Sequence, residues 1–163
     1  MTENPYAPPR APLSEIATAA DSAAAQLAMY SPRQIFVASF LGSPLAASWF
    51  ASRNFRAFSQ DWLAQRILLG GFLATAAALA LGYTLSERLH VPNTAFPLLY
   101  SLLIRWYAQN LFGSAFEKHV QSGGRRGSYW TVVGISLLIL VAVLAVIFGC
   151  IFAWSYFFAR GGT

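Results

Sequence analysis

The sequence places one arginine, Arg105, near the middle of an apolar stretch, AFPLLYSLLIRWYAQNLF. An arginine at the centre of a bilayer costs about 2.5–3.5 kcal/mol on insertion scales, so some group should offset its charge. Gln109, one helical turn further on, and backbone carbonyls freed near Pro44 are the candidates. Two interpretations follow. Arg105 belongs to a site for an anion or lipid headgroup, or its long side chain extends to the membrane interface and has only a structural role. We favour the second.

Residues typical of catalysis are sparse and far apart. All six carboxylates lie outside the apolar runs, so no paired acids form a proton relay inside the membrane. His90, His119 and Cys150 do not have the spacing of metal ligands. No phosphate-binding loop or nucleophile-elbow motif occurs. We therefore expect a protein that is not an enzyme, with no catalytic residue, metal or cofactor.

The composition is typical of an integral membrane protein. Of the 163 residues, 56% are hydrophobic and 10% are charged, whereas a soluble domain carries about 25% charged residues. The net charge of +5 would favour nucleic-acid binding in a soluble protein. In a membrane protein, basic residues instead accumulate in cytoplasmic loops. We expect the lipid bilayer as a partner and no nucleic acid.

Four apolar runs predict the membrane spans, at residues 34–51, 67–85, 95–116 and 129–158. The first run contains Gly42-Ser43-Pro44, and Pro44 removes a helical hydrogen bond. This run is either a kinked span or a re-entrant hairpin, and we favour the kinked span. The expected fold is a small all-α membrane bundle over residues 34–158, with four transmembrane helices of which the first is broken.

The region before the bundle divides into two segments. Residues 1–13 contain four prolines, which predicts a disordered tail. Residues 14–30 are rich in alanine, with apolar residues at steps of three and four, which predicts an amphipathic helix. That helix would lie on the membrane surface, against the bundle or on a partner. Residues 1–30 have no apolar core of a signal peptide, so we expect the spans themselves to direct insertion.

Basic residues predict the orientation of the bundle. Residues 52–66 contain three arginines, and residues 117–128 contain one lysine and two arginines, whereas the other connection is poorer in basic residues. Both segments should therefore be cytoplasmic, whichever form the first run takes. Aromatic residues interleave with the arginines of 49–66, which favours an anchor on the anionic inner leaflet.

Small residues recur every four positions in two of the spans. This spacing lets helix backbones approach closely. We expect the two stripes to pack within the chain, with a homo-oligomer interface as the alternative. The stripes are Gly70, Ala74, Ala78 and Gly82 in the second span, and Ala145, Gly149 and Ala153 in the last.

Two segments resemble small bacterial integral membrane proteins of unknown function. The first is SPRQIFVASFLGSPLAASWFASRNFR (31–56), similar to S-P-x-Q-I…F-L-G-x-P-L-A…N-x-R, and the second is AQNLFGSAFEKHVQSGGRRGSYW (108–130). Together they cover about a third of the chain. The resemblance implies a bacterial inner membrane and supplies no activity. It implies motif positions at Ser31, Pro32, Gln34, Gly42, Pro44, Asn54, Arg56, His119, Gly123, Gly124 and Trp130.

These observations predict a non-enzymatic multi-pass protein of the inner membrane that acts through protein–protein interaction. It would be an accessory subunit or an immunity-type protein with a protein partner. The alternative is an oligomeric channel or transporter for ions or small solutes. The broken first run and Arg105 favour that alternative, because broken helices and buried charges mark transport paths.

Overall fold

The computed structural model describes residues 27–89 and 95–160, except for the side chains of 85–89 and 159–160. Five helices form within these ranges: α1 (Pro32–Gly42), α2 (Pro44–Ala57), α3 (Asp61–Leu89), α4 (Ala95–Gln121) and α5 (Tyr129–Arg160). The described residues contain no strand, only an isolated parallel bridge between Met29 and Arg126. The predicted all-α class and helical bundle are confirmed.

The first two helices fold back on each other as a hairpin. Tyr30, two residues before α1, is hydrogen-bonded to Asn54 near the end of α2. In one continuous helix these residues would lie about 36 Å apart, at 1.5 Å per residue. The kinked helix that we favoured for residues 34–51 is therefore wrong, and the chain takes the hairpin geometry of the alternative.

Ser43 makes the reversal at the tip of the hairpin. Its backbone has φ 88° and ψ 169°, a conformation that ends α1 and redirects the chain. Pro44 then begins α2 at a position where a helix needs no backbone donor. At the other end of α1, Ser31 and Gln34 form a reciprocal capping box. With 11 residues, α1 rises about 16 Å, roughly half of the 30 Å hydrocarbon core of a bilayer.

The hairpin is the centre of the packing. The three long helices α3, α4 and α5 make their extensive contacts with α1 or α2 rather than with one another. The buried core accordingly consists largely of hairpin residues, including Ile35, Ala38, Ala46, Ala47 and Phe50. Because the hairpin is half as long as a span, the remaining lengths of α3, α4 and α5 extend past its tip.

Small residues allow the closest helix contacts. A Cβ on Gly42 would meet the backbone carbonyl oxygen of Ser136 in α5 at 2.5 Å. A Cβ on Gly71 of α3 would collide with the side chain of Ser48 in α2. These two glycines therefore set how near α5 and α3 come to the hairpin.

At one end of the bundle, the hairpin base lies next to the loop between α4 and α5. Residues 27–30 are not helical, and the Met29 N–H donates to the Arg125 carbonyl while the Gly127 N–H donates to the Met29 carbonyl. The helix predicted over 14–30 is thus wrong for 27–30, because this backbone pairs with residues 125–127. Residues 1–26, including the predicted tail, lie outside the described residues.

The helices are longer than the apolar runs suggested. Of the segment 52–66, only residues 58–60 are non-helical, and α4 continues through 117–121. The two predicted loops are therefore short turns flanked by helix. Within the described residues, two segments are long and apolar enough to cross a membrane, Asp61–Thr84 and Tyr129–Phe158. The helix α4 is of similar length but carries more polar residues.

Candidate functional site

A set of hydrogen bonds, here called the basal clasp, closes the open end of the hairpin. It comprises Tyr30, Ser31, Gln34, Asn54 and Gly127. The Asn54 side chain accepts from the Tyr30 N–H at 2.9 Å and donates to the Tyr30 carbonyl at 2.8 Å. Both Asn54 and Tyr30 are buried. Buried amide groups of this kind are costly to leave unpaired, so the pairing fixes the register of the two arms.

Gln34 joins the hairpin to the start of α5. Its side-chain oxygen accepts from the Ser31 N–H at 2.8 Å, and its side-chain nitrogen donates to the Gly127 carbonyl at 2.6 Å. A Cβ on Gly127 would collide with the ring of Tyr30. Tyr30 in turn packs edge-on against Phe50, with ring centroids 4.7 Å apart. The clasp therefore unites residues from three distant parts of the sequence.

Polar side chains also surround the hairpin tip. The Leu45 N–H, in the first turn of α2, donates to the Thr75 hydroxyl of α3 at 2.9 Å, and Thr75 donates to the Gly71 carbonyl. Ser101 of α4 donates to Ser39 of α1 at 3.2 Å. Thr75 thus supplies a partner for a helix terminus that has no intrahelical acceptor.

A polar cleft, here called the basal cleft, lies beside the clasp and has a volume of about 620 Å³. The first turn of α1 forms its floor, and α4 and the start of α5 form its walls. Arg33 and Arg126 are exposed there, and Glu117 is the carboxylate among its described lining residues. The Arg126 guanidinium lies over the Phe116 ring, 5.9 Å from its centroid. The cleft is therefore amphipathic and carries an excess of positive charge.

Arg105 lies one turn of α4 before Gln109, which lines the basal cleft. Its guanidinium is over the ring of Phe36 on α1, 5.9 Å from the ring centroid. Arg105 and Gln109 are both exposed. The predicted pairing of Arg105 with backbone near Pro44 does not occur, because Arg105 contacts α1 near its base and Pro44 lies at the tip.

Other positions implied by the resemblance lie near the basal clasp, at the same end of the bundle. The ring of His119 packs against Gly124, and its Nε2 atom is buried without a hydrogen-bond partner among the described residues. Gly123 has φ 84°, a conformation that favours glycine. Arg56 and Trp130 are exposed. Of the candidate residues, the structure brings Gln34 and Asn54 into the clasp, Gly42 and Pro44 to the tip, and Gln109 to the cleft.

Within the described residues, the glycines of the small-residue stripes make no close contact with another helix. A Cβ at Gly70, Gly82 or Gly149 would have no atom within 4 Å. The close-packed face of α3 is instead formed by Ala64, Gly71 and Thr75. The favoured interpretation is wrong for these positions because the short hairpin leaves much of α3 and α5 without a neighbouring helix. Ala74, Ala145 and Ala153 are exposed, and Ala78 is half-buried.

Two apolar recesses lie between the long helices. The first, here called the upper cavity, has a volume of about 560 Å³ and lies above the tip, with Ser43, Phe40 and Tyr100 in its lining. The second, here called the lateral groove, has a volume of about 280 Å³ and lies between α3 and α4 on one side of α2. Ala47, Ala51, Gly70, Ala74 and Ala108 are among its lining residues.

No family model, no curated protein and no solved structure matches this chain. Within the described residues there is no group of three or more His, Cys, Asp or Glu that could hold a metal ion. The arrangement offers recognition surfaces: a basic amphipathic cleft and two apolar recesses.

Sequence reasoning missed Tyr30, Thr75 and Gly127, whose roles depend on partners distant in sequence. It also did not single out Arg33, which lines the basal cleft.

Proposed function

We propose that this chain is a non-enzymatic multi-pass protein of a bacterial inner membrane that binds a helix of another membrane protein. The lateral groove carries this proposal. Its small residues Ala47, Ala51, Gly70 and Ala74 are gathered between α3 and α4, with open space at Gly70. Small residues at such a surface let a partner helix approach closely, which drives association in lipid. An accessory subunit or an immunity-type protein would act in this way.

In this proposal α3, α4 and α5 span the bilayer, and the hairpin enters it from the cytoplasmic side and returns. The basal clasp supports this placement, because it joins the hairpin base to residues 125–127 at one end of the bundle. The basic residues of 52–66 and 117–128 are then both cytoplasmic, as the positive-inside rule requires. The polar groups at the tip lie among protein helices, as broken backbone at membrane depth must.

The packing of the hairpin favours interaction over transport. A solute path through one chain would have to pass the hairpin, where Ile35, Ala38, Ala46 and Phe50 are buried and close-packed. None of these four residues lines the upper cavity. A groove on the side of the bundle suits a partner helix better than a permeating solute.

Affinity purification of the full-length protein from its native membrane in mild detergent tests the proposal. We expect a stoichiometric second protein with the wild type. Gly70→Leu should lose it, because Gly70 lines the groove and a Cβ added there meets no atom within 4 Å. Gly134→Leu is the matched control, because Gly134 also has open space and does not line the groove. Equal retention of the partner by both variants would contradict the proposed interface.

A further inference from the structure

The basal cleft and the upper cavity lie at opposite ends of one face of α1, and together they are here called the groove along α1. Arg33, Phe36 and Phe40 follow each other at steps of three and four along α1, so they share one face of that helix. The cleft contains Arg33, the cavity contains Phe40, and Phe36 lies between them. The rings of Phe36 and Phe40 stack with centroids 6.4 Å apart. The groove is therefore polar and basic at one end and apolar along the rest.

The basic end has the chemistry of a phosphate-binding site. Arg33 and Arg126 line it, and Arg105 lies just above it over Phe36. Guanidinium groups bind phosphate oxygens through paired hydrogen bonds. Gln109 adds an exposed amide that can donate a further hydrogen bond. Glu117, the carboxylate of the described lining, leaves a net positive charge at this end of the groove.

The apolar end fits acyl chains. Three helices supply the apolar lining of the upper cavity: Leu140, Val143, Leu144 and Ile147 of α5, Phe96 and Pro97 of α4, and Ala78, Leu79 and Gly82 of α3. The cavity lies beyond the tip, about 12 Å or more above the first turn of α1 at 1.5 Å per residue. A phospholipid whose headgroup is at the membrane interface has its acyl chains at that depth.

We propose that this groove binds one anionic phospholipid, with its phosphate in the basal cleft beside Arg33 and Arg126 and its acyl chains in the upper cavity. This inference rests on the proposed membrane location but not on the proposed protein partner: of the residues that line the lateral groove, only Pro44 also lines the upper cavity, and none lines the basal cleft. The loss of the partner protein in Gly70→Leu and the loss of the lipid in variants of the groove along α1 can therefore be measured independently.

Native mass spectrometry of the full-length protein, titrated with phosphatidylglycerol or phosphatidylcholine of identical chains, tests the proposal. We expect one bound phosphatidylglycerol and at least a tenfold preference for it. The double variant Arg33→Gln/Arg126→Gln should lose at least tenfold in affinity. The control Arg53→Gln/Arg56→Gln removes the same charge from exposed positions outside the cleft and should stay within twofold.

The apolar end is tested separately with Val143→Trp, which fills the upper cavity and leaves every charge in place. We expect it to weaken phosphatidylglycerol binding at least fivefold, whereas glycerol 1-phosphate should not displace the lipid at equal concentration. Equal affinity for the two lipids, or equal losses in the two double variants, would overturn the proposal. Efficient displacement by glycerol 1-phosphate would also overturn it, since the site would then recognise the headgroup alone.

Discussion

Asn54 holds both backbone polar groups of Tyr30: it accepts from the N–H at 2.9 Å and donates to the carbonyl at 2.8 Å. The two residues are 24 positions apart, and α1 and most of α2 lie between them. Their pairing makes residues 32–57 a closed hairpin, around which the other three helices are arranged. The proposals for a partner helix and a bound lipid both depend on the gaps that this short hairpin leaves.

Asn54→Ala should destabilise the protein strongly. It leaves the N–H and carbonyl of Tyr30 buried without partners, at about 1–3 kcal/mol for each group. We expect a loss of about 2–4 kcal/mol in the free energy of unfolding, measured by denaturant titration in detergent micelles. Asn110→Ala, at an exposed position of α4, is the control and should change stability little. Similar stability of the two variants would show that the clasp does not hold the hairpin.

Gly42→Ala should separate α5 from the hairpin tip. The added methyl group would meet the Ser136 carbonyl oxygen at 2.5 Å and the Ala46 Cβ at 2.7 Å. Since both neighbours belong to helices, relief requires a helix shift, and overpacking of this kind costs about 1–3 kcal/mol. The thermal midpoint should fall for Gly42→Ala, whereas Gly134→Ala should leave it unchanged or raise it. A fall of equal size in both would point to a general effect of helix composition.

Ser43→Gly should stabilise the protein. Ser43 has φ 88° and ψ 169°, a region adopted almost only by glycine, at a cost of about 1–3 kcal/mol for other residues. Its hydroxyl is buried without a hydrogen-bond partner among the described residues. Glycine removes both costs, while Ser43→Ala removes only the second and keeps the strain. We expect the thermal midpoint to be highest for Ser43→Gly, intermediate for Ser43→Ala and lowest for the wild type. A midpoint for Ser43→Gly below that of Ser43→Ala would contradict backbone strain at Ser43.

Thr75→Val should weaken the contact between α2 and α3 without changing the side-chain volume. The partly buried Leu45 N–H would lose its acceptor at the start of α2, a loss of about 1 kcal/mol. Thr84→Val is the control, because the exposed Thr84 hydroxyl donates only to carbonyls of its own helix. Hydrogen exchange of the first turn of α2 should increase for Thr75→Val alone. Unchanged exchange there would mean that Thr75 does not complete the helix terminus.

The sequence predicts several features of the bundle well. The starts of α4 and α5 coincide with the predicted residues 95 and 129, since helix-forming apolar runs begin there. The break at Gly42-Ser43-Pro44 follows from proline chemistry. Among the candidate residues, Gln34 and Asn54 were implied by the resemblance of their segments and occupy the clasp.

The direction of the chain after the break could not be derived in the same way. An apolar run with a central proline looks the same whether its second half continues or reverses. The outcome depends on the backbone of Ser43 and on a pairing across 24 residues, and neither leaves a periodic pattern. The small-residue stripes were assigned to the wrong contacts for a related reason: burial on α3 depends on how far the hairpin reaches.

The cluster of arginines is a second feature that the sequence could not predict. Arg105 drew attention because it interrupts an apolar run, whereas Arg33 precedes one and carried no signal of its own. Only the antiparallel packing of α4 against α1 brings Arg105, Gln109 and Arg33 to one side of the bundle. Charge patterns along a sequence cannot show such a cluster when its members come from different helices.

The most direct test of the account is the side of the membrane on which the two ends of the hairpin lie. Cys150 is the single cysteine of the sequence, so a Cys150→Ser background permits single-cysteine labelling. We would place cysteines at the exposed positions Leu27 and Gln60, and at Asn93 between α3 and α4. Vesicles of each orientation are then treated with a membrane-impermeant thiol reagent. We predict that Leu27 and Gln60 are labelled from the cytoplasmic side and Asn93 from the other side. Labelling of Leu27 and Gln60 from opposite sides would contradict the re-entrant hairpin and, with it, the proposed architecture.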